Sequence, residues 1–344
     1  MLVYFGVYSA LSLIAIGNHR SNHGFYFLCV GAFLIWFMGF RYETGCDYFG
    51  YLNRWFQFSM PSSFVKLLQG EEVGFAFLMG SIKASGLGYT WLNVAASTIL
   101  VFCYIRFSSG HQFAPLIIAL LFPIVIIQLG MSGIRQALAG GFLMLAFNAF
   151  SEKEKIWTAI WILVGMQFHA SVVMFLPMAL LAGREVNTMR LFLALVILGP
   201  IASLLLMDRF ETYESRYIEG NVTSGGAVIR YILLLLPVPF FIQYSGKLRD
   251  SFPEVYPLLK FSVIIILSLA PLVVLSSIAL HRLNYYVFPL SILLCVYLGA
   301  IVSNKTSYGH LLMVLAYGGY NFFWFLSSSH AERCYVPYNN TWFL

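Results

Sequence analysis

Long apolar runs broken by short polar joints fill this chain: residues 2–16, 25–40, 89–107, 114–129, 133–150, 156–168, 169–182, 191–206, 228–244, 258–279, 285–302 and 310–326. These roughly twelve runs approach, or fall somewhat short of, the about 20 residues that carry a helix across a bilayer. The shorter ones need snorkelling ends or local thinning of the lipid. Two longer polar stretches interrupt the pattern, residues 41–88 and residues 208–227. Within the first, residues 71–86 are apolar in the middle but carry Glu71, Glu72 and Lys83. That mixture predicts a surface-lying or re-entrant helix. The pattern as a whole predicts an all-α polytopic membrane protein with a single domain over residues 1–344.

Composition points the same way. Residues are 60% hydrophobic and only 10% charged, against about 25% charged in soluble proteins. The first residues lack a basic stretch and an Ala-x-Ala site, so residues 2–16 read as a retained first helix. Five cysteines are scattered without metal-ligand spacing, and only Cys46 and Cys334 lie in polar regions. A disulfide between those two is open, against the reading of both as inert thiols. If residues 41–88 face outward, most lysines fall on the inner side, whereas eight of the thirteen arginines fall outside. Lysine suits topology as a point charge; arginine offers a planar fork that grips phosphate bidentately. An arginine-rich outer face suggests an anionic ligand.

Chemistry is sought at the joints. Arg41, Glu43 and Asp47 follow directly on the run 25–40, among tyrosines, where interface anchoring is the plain alternative. Arg135 lies between glycines in Gly130-Met-Ser-Gly-Ile-Arg-Gln-Ala-Leu-Ala-Gly, with a snorkelling role as its equal rival. His169 and Gln167 occupy the next joint, where a helix-end histidine is often structural. Arg230 opens an apolar run, and Arg282 with Tyr285 interrupts two others. The charges and aromatics of 208–227 suit sugars as well as a solvated loop. No Walker A loop, dinucleotide fingerprint, Gly-x-Ser-x-Gly elbow, His-Glu-x-x-His or Asp-x-Asp pair is present. A pyrophosphate substrate would therefore be neutralised by arginines, with no metal or cofactor expected.

Three motifs in order, Gly39-Phe40-Arg41-Tyr42 with Gly45-x-Asp47-Tyr48-x-x-Tyr51, Gly133-Ile134-Arg135-Gln136-x-Leu138-Ala139, and Phe168-His169-x-Ser171, resemble the EpsG family of exopolysaccharide and O-antigen (Wzy-type) polymerases. The resemblance covers the first half of the chain. It implies a multi-pass enzyme of the bacterial inner membrane that joins oligosaccharide repeat units carried on undecaprenyl pyrophosphate at the periplasmic face, with an architecture like that of C-type glycosyltransferases. Arg135 is then the first choice for the leaving pyrophosphate, beside Arg41, Arg230 and Arg282, with Gln136, Tyr48, Tyr51 and Tyr285 as further substrate contacts. Asp47 is preferred as the base over His169, and Glu72 is a third choice. Expected partners are the lipid-linked oligosaccharide, membrane lipids, a chain-length regulator and a flippase, with no nucleic acid. The main rival is a lipid-linked oligosaccharide flippase, which predicts charges at the bilayer midplane and internal repeats.

Overall fold

The computed structural model describes residues 1–17, 23–59, 72–183, 226–302 and 306–343. In chain order these form α1 (Leu2–Gly17), α2 (His23–Gly39), β1 (Arg41–Tyr42), α3 (Tyr48–Gln57), α4 (Val73–Ala84), α5 (Tyr89–Ser109) and α6 (Ala114–Leu121). A π-helix (Phe122–Gly130) leads into α7 (Ile134–Ser151) and α8 (Lys155–Met166), followed by a 3₁₀ turn (Ala170–Phe175) and α9 (Pro177–Leu181). Then come α10 (Ala227–Leu235), α11 (Pro237–Ser251), α12 (Tyr256–Ser268), α13 (Leu272–Leu275), α14 (Ser277–Val302), α15 (Thr306–Ser327), α16 (Ser329–Tyr335) and β2 (Asn339–Asn340). The chain is all-α and membrane-like; among the described residues the strands amount to one antiparallel pair, Arg41 opposite Asn340 and Tyr42 opposite Asn339.

The expected dozen spans are not all of spanning length. Among the described residues four stretches are long and apolar enough, Tyr89–Ser109, Ala227–Ser251, Tyr256–Leu275 and Ser277–Val302, and a fifth counts if α15 and α16, bent by 85°, are taken as one. Six further apolar helices among the described residues have 10–17 residues. At 1.5 Å per residue such helices reach about 15–25 Å, short of the roughly 30 Å hydrocarbon layer. In the run 169–182 Pro177 starts a new helix, and the stretch becomes a 3₁₀ turn plus the 5-residue α9. Within the stretch 71–86, Val73–Ala84 form the helix α4. The run 191–206 lies outside the described residues, as does the loop 208–227 up to residue 225.

Two compact units make up the chain: Met1–Phe142 with Val164–His169 and Leu311–Leu344, and Leu143–Leu163 with Ala170–His310. In the second, α10, α11 and α12 pack around α14, whose residues from Leu283 to Leu298 are all buried. A helix apolar on every side needs such a surround. In the first, α2 packs on α5 and α1 on α6. Buried tyrosines join α1 to the C-terminal segment: the Tyr4 hydroxyl donates to the Tyr335 carbonyl at 3.0 Å and that of Tyr8 to the Val314 carbonyl at 2.7 Å. Buried hydroxyls of this kind require a partner, so each contact also fixes a register.

The same segment clasps the loop after α2. Cys46 and Cys334 are joined by a disulfide, the open pairing of the sequence, across 288 positions. Beside it the Gly45 N–H donates to the Cys334 carbonyl at 2.6 Å, the Thr341 N–H to Phe40 at 2.8 Å, and the Tyr338 hydroxyl to Phe37 at 2.8 Å. Gly45 has φ of +109°, and a Cβ there would stand 1.9 Å from the Met131 carbonyl oxygen. Only glycine permits that approach, which presses the loop onto the turn that starts α7.

A candidate active site centred on Glu72

Three separate pieces of the first unit converge on one carboxylate. Glu72 precedes α4, Arg135 lies in the first turn of α7, and His169 follows the end of α8. The Arg135 Nη1 donates to Glu72 Oε2, and His169 Nδ1 lies 2.9 Å from Glu72 Oε1. The Glu72 side chain is 1% exposed, His169 15% and Arg135 31%. The carboxylate is thus the sealed centre, and the cation and the imidazole lie nearer the solvent.

Local backbone chemistry explains the convergence. Glu72 adopts left-handed φ and ψ of 54° each, uncommon for a residue with a Cβ. Such a conformation persists only where its surroundings over-determine it. Two residues on, the Gly74 N–H donates to the Gln167 carbonyl at 2.9 Å, and a Cβ on Gly74 would lie 2.9 Å from Gln167 Cβ. A bare glycine therefore lets the start of α4 touch the joint that carries His169. Phe168 is fixed by stacking on Phe142 at 5.3 Å between ring centroids. On the other side, the π-helix runs directly into the turn before α7; π-helical segments occur frequently at functional sites.

Electrostatics fit the geometry. Burial opposes the charged form of Glu72, but the hydrogen bond with His169 and the Arg135 guanidinium outweigh it and hold the carboxyl down to about 2. An ionised carboxylate only accepts, so in the neutral ring Nδ1 carries the proton and the lone pair falls on Nε2. Arg135 in the first turn of a helix sits at the positive end of the dipole, an unfavourable place for a cation without an anion beside it. Glu72 supplies one. Tyr51 completes the support: its hydroxyl accepts the Arg135 backbone N–H at 3.2 Å, and its ring lies 5.8 Å under the guanidinium carbon. The Arg135 Nε is buried and makes no hydrogen bond among the described residues. Arg54, from α3, brings its Nη1 to 4.0 Å of Glu72 Oε2.

The other expected residues fall in varied places. Arg41 is not at an opening: it is 2% exposed, and its nitrogens bind the Thr44 carbonyl at 3.2 Å, the Met38 carbonyl and Asn93 Oδ1 at 3.3 Å. Those contacts fix the turn after α2 and turn the guanidinium inward. Tyr48 is core as well, 5% exposed and edge-on to Tyr89 at 5.3 Å. Asp47 is exposed at the start of α3, its N–H donating to Ser132 Oγ at 3.3 Å. Gln136 is half-buried beside Arg135. Glu72, the last choice for a base, is central but in another capacity, because a carboxyl held near 2 takes up protons poorly at neutral pH. Among the described residues no His, Cys, Asp or Glu side chains gather as a metal-binding set.

Within the second unit, Arg230 and Tyr285 are brought together around a histidine the sequence reading passed over. Arg230 is 9% exposed, and its Nη1 lies 2.9 Å from His281 Nδ1. Since arginine only donates, that nitrogen accepts. The Arg230 guanidinium carbon lies 5.2 Å from the Tyr285 ring centroid, and His281 meets the same ring edge-on at 5.1 Å. Arg282 is next in sequence and half-buried.

Arg54 and Phe75 are the residues of the first site that sequence reasoning missed. The i, i+3 spacing of Tyr51 and Arg54 on a short helix is a signal that could have found Arg54; Phe75, whose ring lies 5.8 Å from the Arg54 guanidinium carbon, left none. No curated protein and no solved structure matches the chain. The model of the EpsG family matches residues 24–340, nearly the whole length, and the chain belongs to that family.

Proposed function

We propose that this protein is a glycosyltransferase that polymerises oligosaccharide repeat units carried on undecaprenyl pyrophosphate, working at the outer face of the bacterial inner membrane. Family membership supports a polysaccharide-polymerase function in general. The observation that carries the finer reading is the Glu72 cluster, which combines an oriented imidazole with a guanidinium. Glycosyl transfer from a pyrophosphate carrier needs both a base at the acceptor hydroxyl and positive charge at the departing oxygens.

In this reading the acceptor hydroxyl attacks the anomeric carbon of the donor. Its oxygen forms the new glycosidic bond, its proton passes to His169 Nε2, and the bond from the anomeric carbon to the phosphate oxygen breaks. Undecaprenyl pyrophosphate leaves with the electron pair, and Arg135 neutralises it. Glu72 holds His169 in the tautomer that exposes Nε2 and stabilises the imidazolium that forms. His169 thereby takes the role first given to Asp47. The Cys46–Cys334 disulfide supports the outward orientation, because such bonds persist in oxidising compartments and are rare in the cytosol. Arg230 and Arg282 remain in the proposal as anion contacts of the second unit.

The test is reconstitution of the purified protein with a defined lipid-linked oligosaccharide. Wild type is expected to form longer glycans, and Arg135→Ala and His169→Ala to form none while inserting normally. Polymer from either variant, or translocation of the substrate without a new glycosidic bond, overturns the reading; the second result points to a flippase.

A further inference from the structure

Arg54 enters the site from α3, one turn beyond Tyr51. Its Nη1 approaches Glu72 Oε2, the oxygen that Arg135 also contacts. The two guanidiniums are mounted alike, each with its central carbon 5.8 Å from an aromatic centroid, Tyr51 under Arg135 and Phe75 beside Arg54. Those rings are themselves 5.8 Å apart. Both arginines are permanently charged. Glu72 therefore faces both guanidiniums.

Exposure shows which of the three groups a ligand can reach. The Arg54 side chain is 39% exposed and that of Arg135 31%, against 1% for Glu72 between them. Lys83 anchors the far end of α3 by donating to the Phe58 carbonyl at 2.6 Å and lying 5.2 Å from the Trp55 ring centroid. The arginine on that helix is thus presented from a support fixed at both ends.

We propose that Arg54 is a second ligand-binding residue, forming with Arg135 a paired guanidinium clamp for a diphosphate, with Glu72 as the spacer that sets the distance between the forks. Two planar forks suit two linked phosphoryl groups, each gripped bidentately. This rests on the polymerase reading for the identity of the natural ligand, but the clamp can be probed without turnover.

The experiment is calorimetric titration of inorganic pyrophosphate, with orthophosphate in parallel, into the detergent-solubilised full chain. Wild type is expected to bind pyrophosphate more tightly than orthophosphate. Loss of one charge-assisted contact should weaken pyrophosphate about ten- to a hundredfold in Arg54→Ala and Arg54→Lys. Arg249→Ala, which removes an exposed arginine of the second unit, should bind as wild type does. Melting temperatures of the unliganded variants check that each is folded. Equal binding by wild type and Arg54→Ala, absence of binding by wild type, or an equal loss in Arg249→Ala overturns the clamp. Turnover separates the two readings: an inactive Arg135→Ala beside an Arg54→Ala with unchanged KM for the lipid-linked donor sinks the clamp alone, whereas polymer from Arg135→Ala sinks the reaction.

Discussion

Glu72 Oε1 and His169 Nδ1 meet at 2.9 Å across 97 positions of chain. The contact fixes which ring nitrogen is left for chemistry, so Glu72→Gln should lower kcat by about a hundredfold or more, the size expected when base catalysis is disabled. KM should change less. Asp47→Asn should keep most of the turnover. Single-turnover assays on the three proteins check this, and an inactive Asp47→Asn beside an active His169→Asn would return the base to Asp47.

The acid limb of stability also belongs to Glu72. Its carboxyl falls from an ordinary 4.5 to about 2 in the folded chain. A depressed value means that the stabilisation is complete above about pH 4.5 and is lost as pH falls towards 2. The melting-temperature difference between wild type and Glu72→Gln should therefore be constant from about pH 5 to 8 and shrink below pH 4.5. Thermal unfolding in a graded buffer series measures it.

Gly74→Ala tests the backbone contact that brings α4 to the His169 joint. The added methyl would stand 2.9 Å from Gln167 Cβ and 3.1 Å from its carbonyl oxygen. Overpacking of this kind costs about 1–3 kcal/mol. A shift of even about 1 Å in the site should lower kcat by a further large factor. The expected signature is a modest drop in melting temperature with a disproportionate loss of polymer.

Arg41→Ala should behave in the opposite way. Its three buried hydrogen bonds fix the turn after α2, and each acceptor left unsatisfied costs about 1–3 kcal/mol. Low yield and a depressed melting temperature are expected, with unchanged KM in whatever fraction folds. A stable Arg41→Ala protein with a raised KM would restore Arg41 to the ligand set.

Removing the disulfide with Cys46→Ser and Cys334→Ser together should cost about 2–4 kcal/mol. Wild type treated with reductant should then melt with the double variant, and untreated wild type should differ from the double variant in mobility on non-reducing gels.

Much of the membrane character was legible in the chain, because apolar runs and helix ends leave local marks. Arg135 and His169 stood out for that reason, lying at joints marked by Gly133 and Phe168. The pairing of His169 with Glu72 left no such mark. Glu72 is one of two adjacent glutamates at the edge of an ambiguous helix, and only the packing of Gly74 on Gln167 selects it. Asp47 was preferred as an acid in a polar loop, and that position alone does not reveal whether a base lies within reach. From sequence Arg41 and Arg54 are both loop-side cations, and the burial of Arg41 against Met38, Thr44 and Asn93 is a tertiary outcome. Hydropathy does not register a break such as the one at Pro177, so the run 169–182 reads as one span in sequence and as two short pieces in the fold.

The clasp between residues 41–46 and 334–341 bears on how the protein can be handled. Excising residues 329–343 would strip away the half-cystine, the strand partner and the tyrosine that hold the approach to α3. Loss of activity after such trimming would report a slackened footing beneath Tyr51 and Arg54, and would say nothing about chemistry at the trimmed residues themselves.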